Sequence, residues 1–140
     1  MPAAQDVTVG DALGPLEVQV TRESLIRYAG ASGDYNTIHW NERIAKSVGL
    51  PDVIAHGMFT MGSAARLVTD WAGDAGRVVR YAVRFSSPVV VPDDDTGTTL
   101  TVTGTVESVD ADERTAVVAV EARVADGPVL KAARATVHLD

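Results

Sequence analysis

The spacing of hydrophobic residues changes once along this chain, close to Gly76. Before that point apolar residues recur at helical spacing, which predicts one long apolar helix over about 57–72. The positions that carry this pattern are Met58, Met61, Ala65, Val68, and Trp71 or Ala72. The small residues 62–65 make the helix thin in its middle, so we expect a sheet to approach it closely and both methionines to lie in the core.

After Gly76 the hydrophobic residues alternate with polar ones, which predicts β-strands. The expected strands cover 77–85, 98–108, 115–124 and, with a weaker pattern, 128–138. The stretches between them, 92–97, 110–113 and 125–127, have the composition of hairpin turns. We therefore expect these strands to form an antiparallel meander.

The N-terminal part of the chain predicts a short strand over 16–20 and then a helix. Thr21 is a suitable N-cap, and the helix is expected to run to about Ala29. Gly30 and Gly33 then mark its end.

Residues 30–39 are expected to form a loop, and a second short helix covers about 41–48. One strand, several helices and a run of strands indicate the α+β class, with a curved antiparallel sheet around the long helix. The length fits a single domain over 1–140. Such a sheet has exposed edges, and dimerisation into a continuous sheet is an economical way to cover one.

Composition excludes some classes of function. The net charge of −7 disfavours a nucleic-acid-binding protein. There is no cysteine, and the spacing of the three histidines, His39, His56 and His138, does not match a zinc site, so no metal is expected. The N-terminus resembles no signal peptide and no stretch is long and apolar enough to cross a membrane, so we expect a cytoplasmic protein that binds neither membrane nor nucleic acid.

The segment YAGASGDYNTIH, residues 28–39, contains an acid, an amide and an imidazole: Asp34, Asn36 and His39. Two interpretations are open. Asp34 and Asn36 can form Asx turns while His39 caps the next helix. Alternatively, Asp34 and His39 form an acid–base pair that transfers protons near neutral pH.

The pair His56-Gly57 stands where the apolar helix is expected to begin. Helix N-termini expose unpaired N–H groups with a partial positive charge, which can stabilise an oxyanion. Glycine lets a ligand approach that backbone closely. The alternative is that Gly57 only turns the chain and that His56 is structural.

Other polar features favour structural interpretations. Arg80 and Arg84 on one strand face could meet phosphates, but a solvated face is the more common meaning of such a pattern. The acidic run 93–95 is interpreted as a solvated turn and His138 as structural or exposed.

The segment 28–39, followed by Ala45, resembles the hydratase signature of the MaoC-like (R)-specific enoyl hydratase and dehydratase family. The later AHGM, residues 55–58, is similar to the second landmark of that family. The resemblance extends over nearly the whole chain. It is strongest to the catalytic subunits of mycobacterial (3R)-hydroxyacyl-carrier-protein dehydratases, in segments such as IHWNERIAKSVGL.

This resemblance implies a hotdog fold and reversible interconversion of trans-2-enoyl and (3R)-3-hydroxyacyl thioesters of coenzyme A or acyl carrier protein. Asp34 and His39 would be the catalytic pair, and the Gly57 amide the oxyanion donor. Asn36 occupies a motif position that orders the loop and is counted with Gly57 among the substrate-binding positions. No cofactor is implied.

The chain departs from the family pattern at Thr37, where the family usually has proline. Threonine leaves the loop less restrained but removes no proton-transfer group, so we expect activity to survive. Two alternatives remain: a hotdog thioesterase, and a non-catalytic or partner-dependent subunit of a heterodimeric dehydratase. The partner is expected to be a second copy or a paralogous hotdog subunit.

Overall fold

A computed structural model describes residues 6–140 and shows a single antiparallel sheet against one long helix. The helices are α1 (Arg22–Ser32), α2 (Glu42–Ser47) and α3 (Gly57–Ala72), with 3₁₀ turns at Thr37–His39 and Ala75–Arg77. The strands are β1 (Ala12–Val20), β2 (Val78–Phe85), β3 (Thr98–Asp110), β4 (Thr115–Val124), β5 (Gly127–Pro128) and β6 (Leu130–His138). The predicted α+β class is confirmed, and within the described residues no helix is long and apolar enough to span a membrane.

The order of the strands is β1-β3-β4-β6-β2, and the two-residue β5 pairs with β4. The hairpins β3–β4 and β4–β6 match the predicted turns at 110–113 and 125–127. Together with α3 against one face, this sheet has the hotdog arrangement.

The predicted hairpin at 92–97 is wrong. Strand β2 pairs with β6 at one edge of the sheet, whereas β3 pairs with β1 at the other. The connecting segment crosses between these edges and bonds to the loop before α3: Ala55 N–H donates to Val89 O at 2.8 Å, and Val91 N–H to Val53 O at 2.9 Å. These long-range bonds satisfy the backbone that a hairpin would otherwise have paired.

Thr21 caps α1 as predicted, with its side chain accepting from Ser24 N–H at 3.2 Å. The helix continues past Gly30 and ends at Gly33, which has a φ of 76° and donates its N–H to Ala29 O. The extra turn brings the end of α1 to the residue before Asp34. The loop that carries Asp34 therefore starts directly at the end of α1.

Helix α3 begins and ends where the spacing predicts, but its buried face is shifted. Met58 is 59% exposed, so its predicted core position is wrong. The buried residues of the helix are Thr60, Ala64, Leu67, Val68 and Ala72. Of the small residues 62–65, Ala64 is fully buried, whereas Gly62 is exposed and a Cβ added there would meet nothing within 4 Å.

Close contact between helix and sheet is instead made from the sheet side. A Cβ on Gly104 of β3 would lie 3.2 Å from the Leu67 side chain. At the edge strand, the Tyr81 hydroxyl donates to Met61 O at 3.2 Å. Burial raises the pKa of Tyr81 to about 12, so the phenol remains a neutral donor that attaches β2 to α3.

Candidate active site

The loop after α1 is ordered by short-range hydrogen bonds. The Asp34 carboxylate accepts from Asn36 N–H at 3.1 Å, and the Asn36 side-chain oxygen accepts from Ile38 N–H at 3.3 Å. The Asn36 bond caps the 3₁₀ turn that ends at His39. These are the Asx turns of the first interpretation, but His39 does not cap α2, because Asn41 does so through Ile44 N–H at 3.1 Å.

His39 is buried and has a defined orientation. Its Nδ1 lies 2.7 Å from the carbonyl oxygen of Ile54. Because a carbonyl can only accept, Nδ1 carries a proton, and in the neutral tautomer Nε2 is the nitrogen with the free lone pair. The ring therefore presents a proton acceptor at Nε2.

His56 joins this pair, which the sequence interpretation did not anticipate. It is only 2% exposed, and its ring stacks on that of His39 with centroids 3.9 Å apart and planes inclined by 27°. Its Nε2 lies 3.1 Å from the backbone carbonyl oxygen of Asp34. One carboxylate oxygen of Asp34 and one ring nitrogen each of His39 and His56 lie within 4.8 Å of one another. Asp34 and His39 are therefore close together, as predicted, and His56 lies beside them.

Burial lowers the pKa of His56 below its usual value, and the neighbouring His39 acts in the same direction. Since Nε2 donates to Asp34 O, Nδ1 is the unprotonated nitrogen. Among residues 6–140, this buried Nδ1 has no hydrogen-bond partner. A second proton on the ring would find no acceptor there, so this geometry, like the burial, favours the neutral ring although the bond to Asp34 O raises the pKa.

The N-terminus of α3 lies beside these rings. Within residues 6–140 no side chain caps it, so its first N–H groups, including that of Gly57, retain hydrogen-bonding capacity. A cavity of about 180 Å³ is lined by His39, Gly57, Thr60 and Phe85 together with apolar residues around Val89. His39, one member of the predicted pair, and Gly57, the predicted oxyanion donor, thus border one largely apolar space.

Phe85 from the edge strand covers part of this region. A Cβ on Gly57 would lie 3.2 Å from the Phe85 ring, so glycine allows the strand and the helix end to approach each other. Phe85 is 54% exposed and is the last residue of β2, within the strand predicted over 77–85.

The Asp34, His39 and His56 cluster also contains the atom types of a divalent-cation site, although the linear spacing of the histidines gave no such signal. Each ring already uses one nitrogen for a backbone carbonyl, which leaves one nitrogen per ring. The expectation of a metal-free site stays a prediction.

The remaining candidates lie elsewhere. Arg80 and Arg84 are exposed on the sheet face opposite Tyr81. In the acidic turn, the Asp94 carboxylate accepts from Thr96 and Gly97 N–H groups, which lower its pKa and complete a turn. His138 is exposed.

His56, for which the sequence analysis offered only a structural role, could have been recognised as a candidate site residue from its position in the chain. It directly precedes Gly57 within AHGM, the segment similar to the second family landmark. Its partners, however, come from a distant loop, so the stacking on His39 could not be inferred from spacing.

Comparison with known proteins places these residues in a family context. The family described as MaoC like domain matches residues 5–126. The 3-hydroxyacyl-thioester dehydratase X of Mycobacterium tuberculosis is 44% identical over 75 residues, which cover 54% of this chain and 26% of that protein. The (R)-specific enoyl-CoA hydratase of Rhodospirillum rubrum is 33% identical over 103 residues, covering 73% of this chain and 70% of the hydratase.

Among solved structures, a MaoC-like dehydratase superposes on 99% of this chain with a TM-score of 0.96 and 43% identity, and the match covers 42% of that structure. The chain therefore spans about a quarter of the mycobacterial relative and less than half of this dehydratase. Because the family match runs over most of its length, the chain belongs to the MaoC-like domain family.

Proposed function

We propose that this chain interconverts trans-2-enoyl and (3R)-3-hydroxyacyl thioesters by reversible addition of water, acting on acyl groups carried by coenzyme A or acyl carrier protein. The observation that carries the proposal is the orientation of the His39 ring, whose Nδ1 lies 2.7 Å from Ile54 O, beside Asp34 and the start of α3. The names of the relatives from Mycobacterium tuberculosis and Rhodospirillum rubrum support the same reaction class.

In the hydration direction, the thioester carbonyl accepts a hydrogen bond from Gly57 N–H. Charge that develops on this oxygen is stabilised by that amide and by the dipole of α3. A water held between Asp34 and His39 loses a proton to Nε2 as its oxygen bonds to C3. The acid–base pair returns that proton to C2, so that one water has been added and the pair is unchanged.

Asn36 acts through the loop in this proposal. Its side chain caps the 3₁₀ turn that carries His39, while its backbone N–H binds the Asp34 carboxylate. No cofactor takes part in the proposed steps.

A second subunit is part of the proposal. The cavity of about 180 Å³ lies below the roughly 300–1,000 Å³ usual for ligand pockets. Strand β2 is an edge strand with exposed Val79 and Phe85, and Phe85 borders the cavity. We propose that a second copy or a paralogous hotdog subunit pairs with this edge and extends the acyl site. The domain extent 1–140 and a cytoplasmic location stay predictions.

The test is hydration of crotonyl-CoA by the purified chain, followed as loss of enoyl-thioester absorbance. Asp34→Asn and His39→Ala should each lower kcat by about 10²–10⁴-fold, the usual contribution of a positioned acid–base group. His138→Ala, which removes an exposed imidazole, is the matched control and should retain the wild-type rate.

Parallel detection of free thiol separates this reaction from thioester hydrolysis. A hydratase leaves the thioester intact, so thiol release at the rate of absorbance loss would favour the thioesterase alternative. Near-wild-type rates in both site variants would contradict the proposal. A folded wild-type chain that hydrates neither crotonyl-CoA nor a longer trans-2-enoyl-CoA would favour the partner-dependent alternative or a carrier-bound substrate.

A further inference from the structure

His56 is a buried titratable residue that the proposed reaction does not use, yet it touches both members of the acid–base pair. It precedes α3 without capping it, since its side chain makes no bond to the helix N-terminus. Helix capping is the usual structural use of a polar residue at this position. Its side chain is directed instead toward the loop that carries Asp34.

The first contact restrains Asp34. Asp34 is exposed, and among the described residues its carboxylate accepts one hydrogen bond, the short-range bond from Asn36 N–H. The bond from His56 Nε2–H to Asp34 O connects this exposed residue to the buried start of α3. Loss of the bond would leave the position of the carboxylate to the loop alone.

The second contact restrains His39. On one side its Nδ1–H is held by Ile54 O, and its ring face is covered by the ring of His56 at 3.9 Å. The edge of Tyr28 in turn supports His56, with centroids 4.8 Å apart at 60°. The hydrogen bond to Ile54 O therefore restrains rotation of the His39 ring about its side-chain bonds, and the stacked His56 ring restrains its tilt.

The neutral state of His56 fits this arrangement. The groups that face it are His39, Asp34 and the phenol of Tyr28. With its Nδ1 buried and unpartnered among the described residues, His56 adds no positive charge next to the nitrogen that must accept a proton. A cation stacked at that distance would oppose the charge that His39 gains during the reaction.

We infer that His56 is a positioning residue, which holds the Asp34 backbone through Nε2–H and supports the His39 ring as a neutral neighbour. This inference rests on the proposed function, because it assigns His56 a part in the same reaction. Misplacement of reacting groups by about 1 Å can cost on the order of 10²-fold in rate, so such a residue can matter without touching substrate.

Two variants separate the hydrogen bond from the packing. His56→Phe retains an aromatic ring against His39 but has no donor for Asp34 O. His56→Gln gives up the ring but keeps an amide N–H at a similar reach. We expect His56→Phe to lower kcat by about 10–100-fold with little change in KM, and His56→Gln to recover most of that loss. Thermal unfolding of both variants is the control that checks whether each is folded.

A measurement without turnover tests the inference separately. Nitrogen-15 NMR of the imidazoles at neutral pH should show His56 neutral with its proton on Nε2, and its resonance should change in Asp34→Asn. A charged His56, or a proton on Nδ1, would overturn the inference.

Activity data distinguish failure of the His56 positioning role from failure of the proposed function. If Asp34→Asn is inactive while folded His56→Phe turns over like wild type, the positioning role is wrong and the proposed function stands. If His56→Gln is as slow as His56→Phe, the ring contact with His39 is needed as well as the hydrogen bond, whereas wild-type turnover in both folded variants would overturn the inference. If Asp34→Asn and His39→Ala remain active, the proposed function fails first.

Discussion

At the scale of single residues, Gly57 is where the helix dipole, the backbone amide and the cavity coincide. Its position needs no unusual backbone angle, so the absence of a side chain matters for space rather than for conformation. Phe85 already occupies part of the space beside its Cα. The Phe85 ring therefore limits the space from which a thioester can approach the Gly57 amide.

We expect Gly57→Ala to lower kcat/KM by roughly tenfold or more, because the methyl group takes space that the substrate needs beside the amide donor. Stability should change little, since alanine is favourable in a helix and Phe85 can move by a few tenths of an ångström. Steady-state kinetics and thermal unfolding check both statements.

The double variant Gly57→Ala with Phe85→Leu is the control for a simple clash with the ring. If it regains the wild-type kcat/KM, displacement of Phe85 caused the loss and the substrate-approach explanation is wrong. Phe85→Leu alone reports the effect of the ring itself.

At the scale of elements, the 3₁₀ turn Thr37–His39 carries the base of the proposed reaction. The first residue of the turn is Thr37, the position at which the family pattern usually has proline. The hydrogen bonds of the turn use the Thr37 carbonyl, which accepts from Trp40 and Asn41 N–H groups. Asn36 before it has φ −55° and ψ 126°, a conformation that a following proline accepts. The threonine is thus compatible with the same geometry that proline would favour.

Thr37→Pro should therefore raise the free energy of unfolding by about 0.4–1 kcal/mol by restricting the unfolded chain, and leave kcat unchanged. Denaturant unfolding and crotonyl-CoA hydration measure the two effects.

The matched control is Ile38→Pro, which removes the N–H that donates to the Asn36 side chain. It should destabilise the loop and slow turnover. Equal losses in Thr37→Pro and Ile38→Pro would show that the observed turn cannot accommodate proline at its start.

At the scale of the whole molecule, β2 forms one of the two open edges of the sheet. Exposed apolar side chains at both ends of the strand, Val79 and Phe85, alternate with exposed arginines. Unpaired strand edges are usually covered or charged, and this one combines apolar and charged residues.

We expect the wild-type chain to have twice its 14.7 kDa mass in solution. Val79→Lys should shift it toward monomer, because a two-fold contact at β2 would bring the added charges together. Light scattering at several protein concentrations checks this expectation. Val48→Lys, at a similarly exposed valine beyond α2, should remain dimeric. A monomeric wild type, or a dimer that Val79→Lys leaves intact, would contradict pairing of two copies through this strand.

The sequence by itself determined most of the local structure and the identity of the candidate pair. Thr21 and Asn41 cap helices through bonds to residues three positions away, and α3 follows a 3.6-residue pattern, so both depend on neighbours in the chain. The signature around Asp34 and His39 likewise lies in one short segment. Their roles in the reaction stay predictions until variants are measured.

Only the tertiary structure decided which distant groups meet. The 92–97 segment was predicted to be a hairpin because its composition suits a turn, but bonds between residues 89–91 and 53–55 place β2 and β3 at opposite edges. Met58 fits the helical pattern yet is exposed, because the sheet covers the neighbouring face through Ala64 and Leu67. The stacking of His56 on His39 and its bond to Asp34 depend in the same way on the packing of a helix start against a loop, which no local pattern in the sequence encodes.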